Sequence, residues 1–191
     1  YLVERQKKLR GIIITHGHED HTGALPYILS QLNAPIYAAP LTQGLISLKL
    51  KEHGLLDSAK LVSVQPGEKL SLGQFRVEFL HMCHSIPDSV GLIIRTPLGI
   101  LVHSGDFKLD YTPVDSKPTD FTRLAQIGAE GVLLLLSDST YVEMAGYTPS
   151  EQVVGEALGH IMADAPGRVI VTTFASLISR IQQVIDAAAH Y

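Results

Sequence analysis

A chain of 191 residues with 46% apolar and 18% charged residues can bury one sizeable core and part of a second, which excludes a disordered or fibrous class. Its formal net charge of −4 argues against a free-standing nucleic-acid binder, yet suits a nucleic-acid enzyme whose bound cations supply the positive field. The longest apolar run, residues 132–136, is too short to cross a bilayer, and the single cysteine, Cys83, permits no intrachain disulfide and points to a reducing compartment.

Residues 1–10 are charged and partly helical in pattern. Residues 12–15 are β-branched and follow Gly11, which predicts a short buried strand. Leu25, Ile28, Leu29 and Leu32 then recur at helical spacing until Pro35. Residues 36–39 predict a second short strand, and Pro40 opens a helix that Gly54 closes. From Lys60 the period changes: Phe75, Val77 and Phe79 alternate with Arg76 and Glu78, as in a half-buried strand. Residues 90–96 and 99–103 predict two more strands joined by the turn TPLG. A short helix over 121–128 precedes a fully apolar strand over 132–136. Ser150 is the expected N-cap of a helix over 150–163. RVIVTTF, residues 168–174, predicts a strand. The terminal helix places Leu177, Ile178, Ile181, Val184, Ile185 and Ala188 on one face. Strands with helices on their outer sides predict a layered α/β architecture. With no initiator methionine at Tyr1 and no helix cap before Tyr191, the expectation is a segment of a longer protein.

The stretch HGHEDH packs three histidines and two carboxylates into six positions between an apolar strand and an amphipathic helix. Imidazole suits zinc, and a carboxylate adds a harder oxygen ligand. Gly17 lets His16 and His18 point at one centre, while Asp20 and His21 face another. One tetrahedral site cannot use all four, so the spacing predicts two metals about 3.5–4 Å apart, the arrangement that clamps both oxygens of a hydrolytic displacement. A histidine-rich surface loop explains a lone histidine, but not four donors at this density. Glu19 is expected to face solvent or support a ligand.

Two later stretches, HMCHSIPDS and VHSGDFK, each put candidate donors just past a strand end, where segments distant in sequence converge. His84 and Asp106 are the expected ligands. His81 and His103, three residues earlier and still within strands, are expected to pack or to orient a ligand through a hydrogen bond. Cys83 is expected to be a buried structural thiol. Lys108 fits either a phosphate contact or a solvated surface residue.

THGHEDHTGALPYIL, HSIPDS and SGDFK, in that order, resemble the metallo-β-lactamase fold. LLLLSDSTYVE and GRVIVTTFASLISRIQQVIDAA narrow the resemblance to the β-CASP branch and the ribonuclease J group. The resemblance implies a partial αββα sandwich over residues 1–140 and the start of an inserted β-CASP domain over 141–191. It implies that His16, His18 and His84 hold one zinc, that Asp20 and His21 hold the other, and that Asp106 bridges them. Asp138 matches an acidic motif that hydrogen-bonds a catalytic histidine further along such chains, so Asp20, Asp106 and Asp138 are the implied catalytic carboxylates. At Leu177 and Ser179 the chain departs from the family's commoner Asn and His. The family's early strand and later histidines lie outside this chain, so the second zinc is expected to be under-coordinated.

The implied activity is zinc-dependent hydrolysis of single-stranded RNA, internally or from a 5′ end, by a cytoplasmic protein that forms a homo-oligomer. A small-molecule hydrolase of the same fold, a thioesterase or lactonase, would use the same ligands, but SDST and TFASLISRIQQ argue against it. A non-catalytic RNA-binding subunit would be expected to have lost ligands, and none of the six is replaced.

Overall fold

Short β-branched segments alternating with helices up to residue 63, and longer period-2 segments after it, build two separate sheets. The structure, a computed structural model, describes residues 1–191. The first sheet runs β1 (Ile12–Ile13), β2 (Ile36–Ala38), β3 (Leu61–Ser63), all parallel. Parallel neighbours require crossovers. These are α1 (Glu19–Thr22) with α2 (Leu25–Ile28), and then α3 (Pro40–Glu52). Pro40 sits in the first turn of α3, and the cap that Ala39 cannot offer comes from Asp88, whose Oδ2 accepts from Leu41 N–H at 3.0 Å. The helix expected after the histidine stretch is shorter than its apolar spacing suggests, ending in turns after Ile28.

The second sheet is the antiparallel meander β4 (Lys69–Leu72), β5 (Phe75–His81), β6 (Val90–Thr96) and β7 (Gly99–His103). At its edge β8 (Leu134–Leu136) lies parallel to β7, reached through α4 (Phe121–Glu130). Three apolar clusters define the layers. Ile14, Leu29, Ile36, Ile46 and Leu50 fill the space between the first sheet and its helices. Ala39, Val64, Val77, Phe79 and Leu92 lie between the two sheets. Ile93, Ile100, Val102 and Ile127 seal α4 onto the far face of the second sheet. Helix, sheet, sheet, helix is an αββα sandwich. Beyond it, α5 (Glu151–Asp164) and α6 (Ile178–His190) pack on each other, and Ser150 caps α5 by accepting from Gln152 N–H at 3.2 Å.

Two expectations need correction, those for residues 168–174 and for Glu78, and two elements pack in a way their composition left open. Residues 168–174 form no strand, because no strand of the chain lies alongside to complete a ladder, and Ile170 stands 83% exposed. The apolar strand near residue 134 is an edge strand with its leucines exposed rather than enclosed. In α6 the most buried residue is Gln183, whose Nε2 donates to Glu151 O at 2.8 Å, while Ile181 and Ile185 stay exposed. Glu78 is buried, not solvated: Arg123 of α4 holds it with bonds of 2.6 and 2.8 Å, so both faces of β5 are covered.

Candidate metal centre

Because β5 and β7 run the same way and β8 parallels β7, their C-terminal ends share one sheet edge. The first sheet reaches that edge too, since Val90 N–H at the start of β6 donates to Thr15 O at 2.9 Å. Residues just past β1, β5 and β7 therefore converge, and they are His16, His84 and Asp106. Gly105 is needed for the last of these: its φ is +61°, and a Cβ there would lie 2.9 Å from Val90 O. Gly17 lies close under α3: a Cβ there would meet Leu45 Cδ1 at 2.5 Å, so that side chain would have to shift.

His16, His18, His84 and Asp106 each offer a donor atom, all within 4.8 Å of one another; Asp20, His21 and Asp106 form a second such group. Asp106 belongs to both. Its Oδ2 lies 3.7 Å from His16 Nε2 and 3.8 Å from His84 Nε2, and its Oδ1 lies 3.5 Å from His21 Nε2. His84 Nε2 and His18 Nδ1 are 3.2 Å apart. Asp20 Oδ2 stands 3.5 Å from His21 Nε2 with its side chain 76% exposed, so the second group is the more open one.

The chemistry of this donor set fits a cation. His16 Nε2 and His18 Nε2 are buried without a hydrogen-bond partner, although buried polar atoms are ordinarily paired. Burial, reinforced by the neighbouring His21, His84 and His18, pushes the His16 imidazole down to about 3. Burial and His18 also hold His84 below the ordinary histidine value, with Asp106 pulling the other way. Both rings therefore keep lone pairs available at neutral pH. An imidazole–carboxylate group of this kind suits zinc-like divalent ions.

The structure also shows what orients these donors. Thr15 Oγ1 lies 3.1 Å from His16 Nδ1. Cys83 N–H donates to buried Thr119 Oγ1 at 2.9 Å, and Lys108 N–H to Cys83 O at 2.8 Å, which fixes the segment leading to His84. His81 binds Lys117 O through Nε2 at 2.8 Å, and His103 Nδ1 accepts from Gly105 N–H at 3.0 Å, so both serve the backbone as expected. Cys83 is buried, and burial pushes its thiol up to about 11. Glu19 pairs with Lys49 rather than facing solvent alone.

Asp138 stands beside this centre. Its N–H donates to Ser104 Oγ at 2.9 Å, and its carboxylate accepts from Thr140 N–H at 2.9 Å, Thr140 Oγ1–H at 2.6 Å and Phe107 N–H at 3.4 Å. Burial pushes its carboxyl up, but these bonds outweigh burial and hold it below the usual value. Lys108 is neither a free phosphate contact nor solvated: its Nζ is spent on Glu151 Oε1 at 2.8 Å, with Asp110 Oδ2 at 3.8 Å. Sequence reasoning missed Thr15, Ser104 and Thr119, hydroxyl residues whose roles follow only from which backbone or ring atom they meet.

An αββα sandwich with donors from both sheets gathered at one edge defines a class, and the chain belongs to it: it is a member of the metallo-beta-lactamase superfamily, whose profile matches residues 1–140. Within that class it is 49% identical over 198 aligned residues to ribonuclease J of Thermus thermophilus, across all of this chain and 35% of that protein. It is 47% identical to ribonuclease J of Helicobacter pylori strain J99, across all of this chain and 28% of that protein. With ribonuclease J2 of Bacillus subtilis identity is 42%, across 99% of this chain and 34% of the relative. The chain thus spans about a third of the length of these curated relatives. A crystal structure of a protein of unknown function from Enterococcus faecalis V583 shares the fold, with a TM-score of 0.70 at 17% identity, over 92% of this chain and 44% of that one.

Proposed function

We propose that this chain carries the metal-binding part of a zinc-dependent ribonuclease that hydrolyses phosphodiester bonds of single-stranded RNA, with residues 141–191 opening a β-CASP domain. The observation that carries the reading is Asp106, one carboxylate reaching both donor groups, with oxygens 3.7 Å from His16 and 3.5 Å from His21. Similarity to the ribonuclease J relatives over the whole chain supports RNA as the substrate. In this reading His16, His18, His84 and Asp106 hold one zinc, and Asp20, His21 and Asp106 hold the other. Bound there, paired divalent ions supply Lewis acidity, drawing the pKa of water toward neutrality and offsetting charge on the phosphoryl oxygens.

The chain's own residues do the remaining work. With Nε2 of His16 facing the carboxylate, its Nδ1–H donates to Thr15 Oγ1, which fixes tautomer and ring orientation. Asp138 stays ionised and ready to accept a proton-bearing group near the scissile phosphate, in a position set by Ser104 and Phe107. The lone buried thiol suits a reducing compartment such as the cytoplasm.

Calorimetric titration of the metal-free chain with zinc tests the ligand assignment. Two binding events are expected, the tighter at the four-donor group. His84→Ala removes the tighter event, Asp20→Ala the weaker, and Asp106→Asn both, together with cleavage of 5′-monophosphorylated single-stranded RNA by the protein that contains this chain. Unchanged zinc uptake or cleavage in Asp106→Asn overturns the assignment.

A further inference from the structure

Next to the metal cluster, the loop after Asp106, the turn after β8 and the segment before α5 border an open cavity of about 640 Å³. That size falls within the roughly 300–1,000 Å³ of sites that take small organic ligands. Phe107, the residue after Asp106, lines it together with Asp138, so the cavity adjoins the cluster directly. Tyr111, Tyr141 and Tyr147 line it as well, and they are 76%, 71% and 91% exposed. Three tyrosines around one hollow give it an aromatic lining. Tyr111 is also held in place: its ring stacks on Phe121 with centroids 5.0 Å apart and planes at 21°.

The charge of the cavity selects its occupant. Its one cationic lining residue, Lys108, is committed to Glu151, while Asp110 and Asp138 bring carboxylates. A phosphate would be repelled. A neutral, flat, aromatic group would not, and base–aromatic stacking tolerates any base because every base presents a π-face.

We propose that this cavity is a nucleobase subsite, in which Tyr141 and Tyr147 stack unpaired bases of the RNA strand whose backbone reaches the metal cluster. The proposal rests on the ribonuclease reading and adds to it a surface that holds substrate without touching phosphate. The tyrosines contribute stacking, so they act through their rings and not their hydroxyls.

The test measures binding of a fluorescent adenosine octanucleotide to the 191-residue chain in EDTA, where cleavage plays no part. Tyr141→Ala and Tyr147→Ala are each expected to weaken binding about 5- to 150-fold, the range of one lost base–aromatic stack. Tyr141→Phe and Tyr147→Phe are expected to stay within about twofold, since the ring remains. An abasic octamer of equal charge should bind more weakly to the parent chain and lose nothing further in the Ala variants. The slope of affinity against salt should not change, because no phosphate contact is removed. Equal losses in the Phe and Ala variants, losses with the abasic octamer, or no octamer binding at all overturn the subsite. Failure of the ribonuclease reading is seen separately, as persistent cleavage in Asp106→Asn or zinc uptake unchanged in that variant.

Discussion

His16 is the imidazole whose side chain is fully shielded from water, and Thr15 Oγ1 is the partner of its Nδ1. Replacing that hydroxyl with a methyl of nearly the same shape isolates the hydrogen bond from packing. Thr15→Val is expected to weaken zinc binding about 10- to 100-fold, the usual cost of losing a group that orients a ligand. Competition with a chromophoric chelator reads this directly, and an unchanged affinity would remove Thr15 from the centre. Residues of this rank explain which parts of the site are legible from sequence. His16, His18, Asp20 and His21 stand out because they crowd one turn, and the structure brings them together with His84 and Asp106, which sit just past an alternating strand and an apolar strand. Thr15 and Ser104 leave no such signature. A lone hydroxyl beside a histidine or a glycine is common, and its meaning depends on a ring tautomer or a neighbouring strand that no local pattern encodes.

At the level of elements, α4 is held to the second sheet by Ile127 in its apolar cluster and by the Arg123–Glu78 pair. The Arg123 hydrogen bonds keep the Glu78 carboxyl below its ordinary value of 4.5, outweighing the opposing effect of burial. The folded protein therefore releases this proton more readily than the unfolded chain. Stability from the pair is fully present above about pH 4.5 and is lost as pH falls through the lower folded value. Glu78→Gln is expected to cost about 1.5–3 kcal/mol at pH 7, the worth of hydrogen bonds to a charged partner. Urea unfolding should show that difference at pH 7 and a smaller one at pH 3; an equal difference at both would assign the effect to packing. The same pair marks a limit of period-2 reasoning. Alternation along β5 correctly sets Phe79 inward, yet it cannot reveal that a helix some forty residues later covers the other face and supplies an arginine. Residues 168–174 show the converse, since β-branched composition without a neighbouring strand makes no ladder.

Across the whole molecule, the helix pair α5–α6 meets the sandwich through Glu151 and through the neighbouring Ser150, whose Oγ donates to Thr112 O at 3.0 Å. Glu151 accepts from Lys108 Nζ at 2.8 Å and from Arg180 Nη2 at 2.5 Å, while its own N–H donates to Asp110 Oδ2 at 2.9 Å. Lys108 lies two residues beyond Asp106, so the junction and the metal loop share one short stretch of backbone. Asp110 is nearly buried, and bonds from Glu151, Ser150 and Thr112 hold its carboxyl below the usual range against the upward push of burial. Removing the Glu151 carboxylate leaves Arg180 without this partner and Lys108 with Asp110, 3.8 Å away, whereas the apolar clusters of the sandwich are untouched. Glu151→Ala is therefore expected to open the junction without unfolding the sheets. Amide exchange in the first turn of α5 should accelerate about 10- to 150-fold, matching the loss of about 1.5–3 kcal/mol for one charge-assisted hydrogen bond. Amides of β5 and β6 should keep their protection. Uniform acceleration would mean that the helix pair and the sandwich unfold as a single unit, and no acceleration would mean that the Ser150–Thr112 hydrogen bonds and the Glu151 N–H bond to Asp110 suffice to hold the junction.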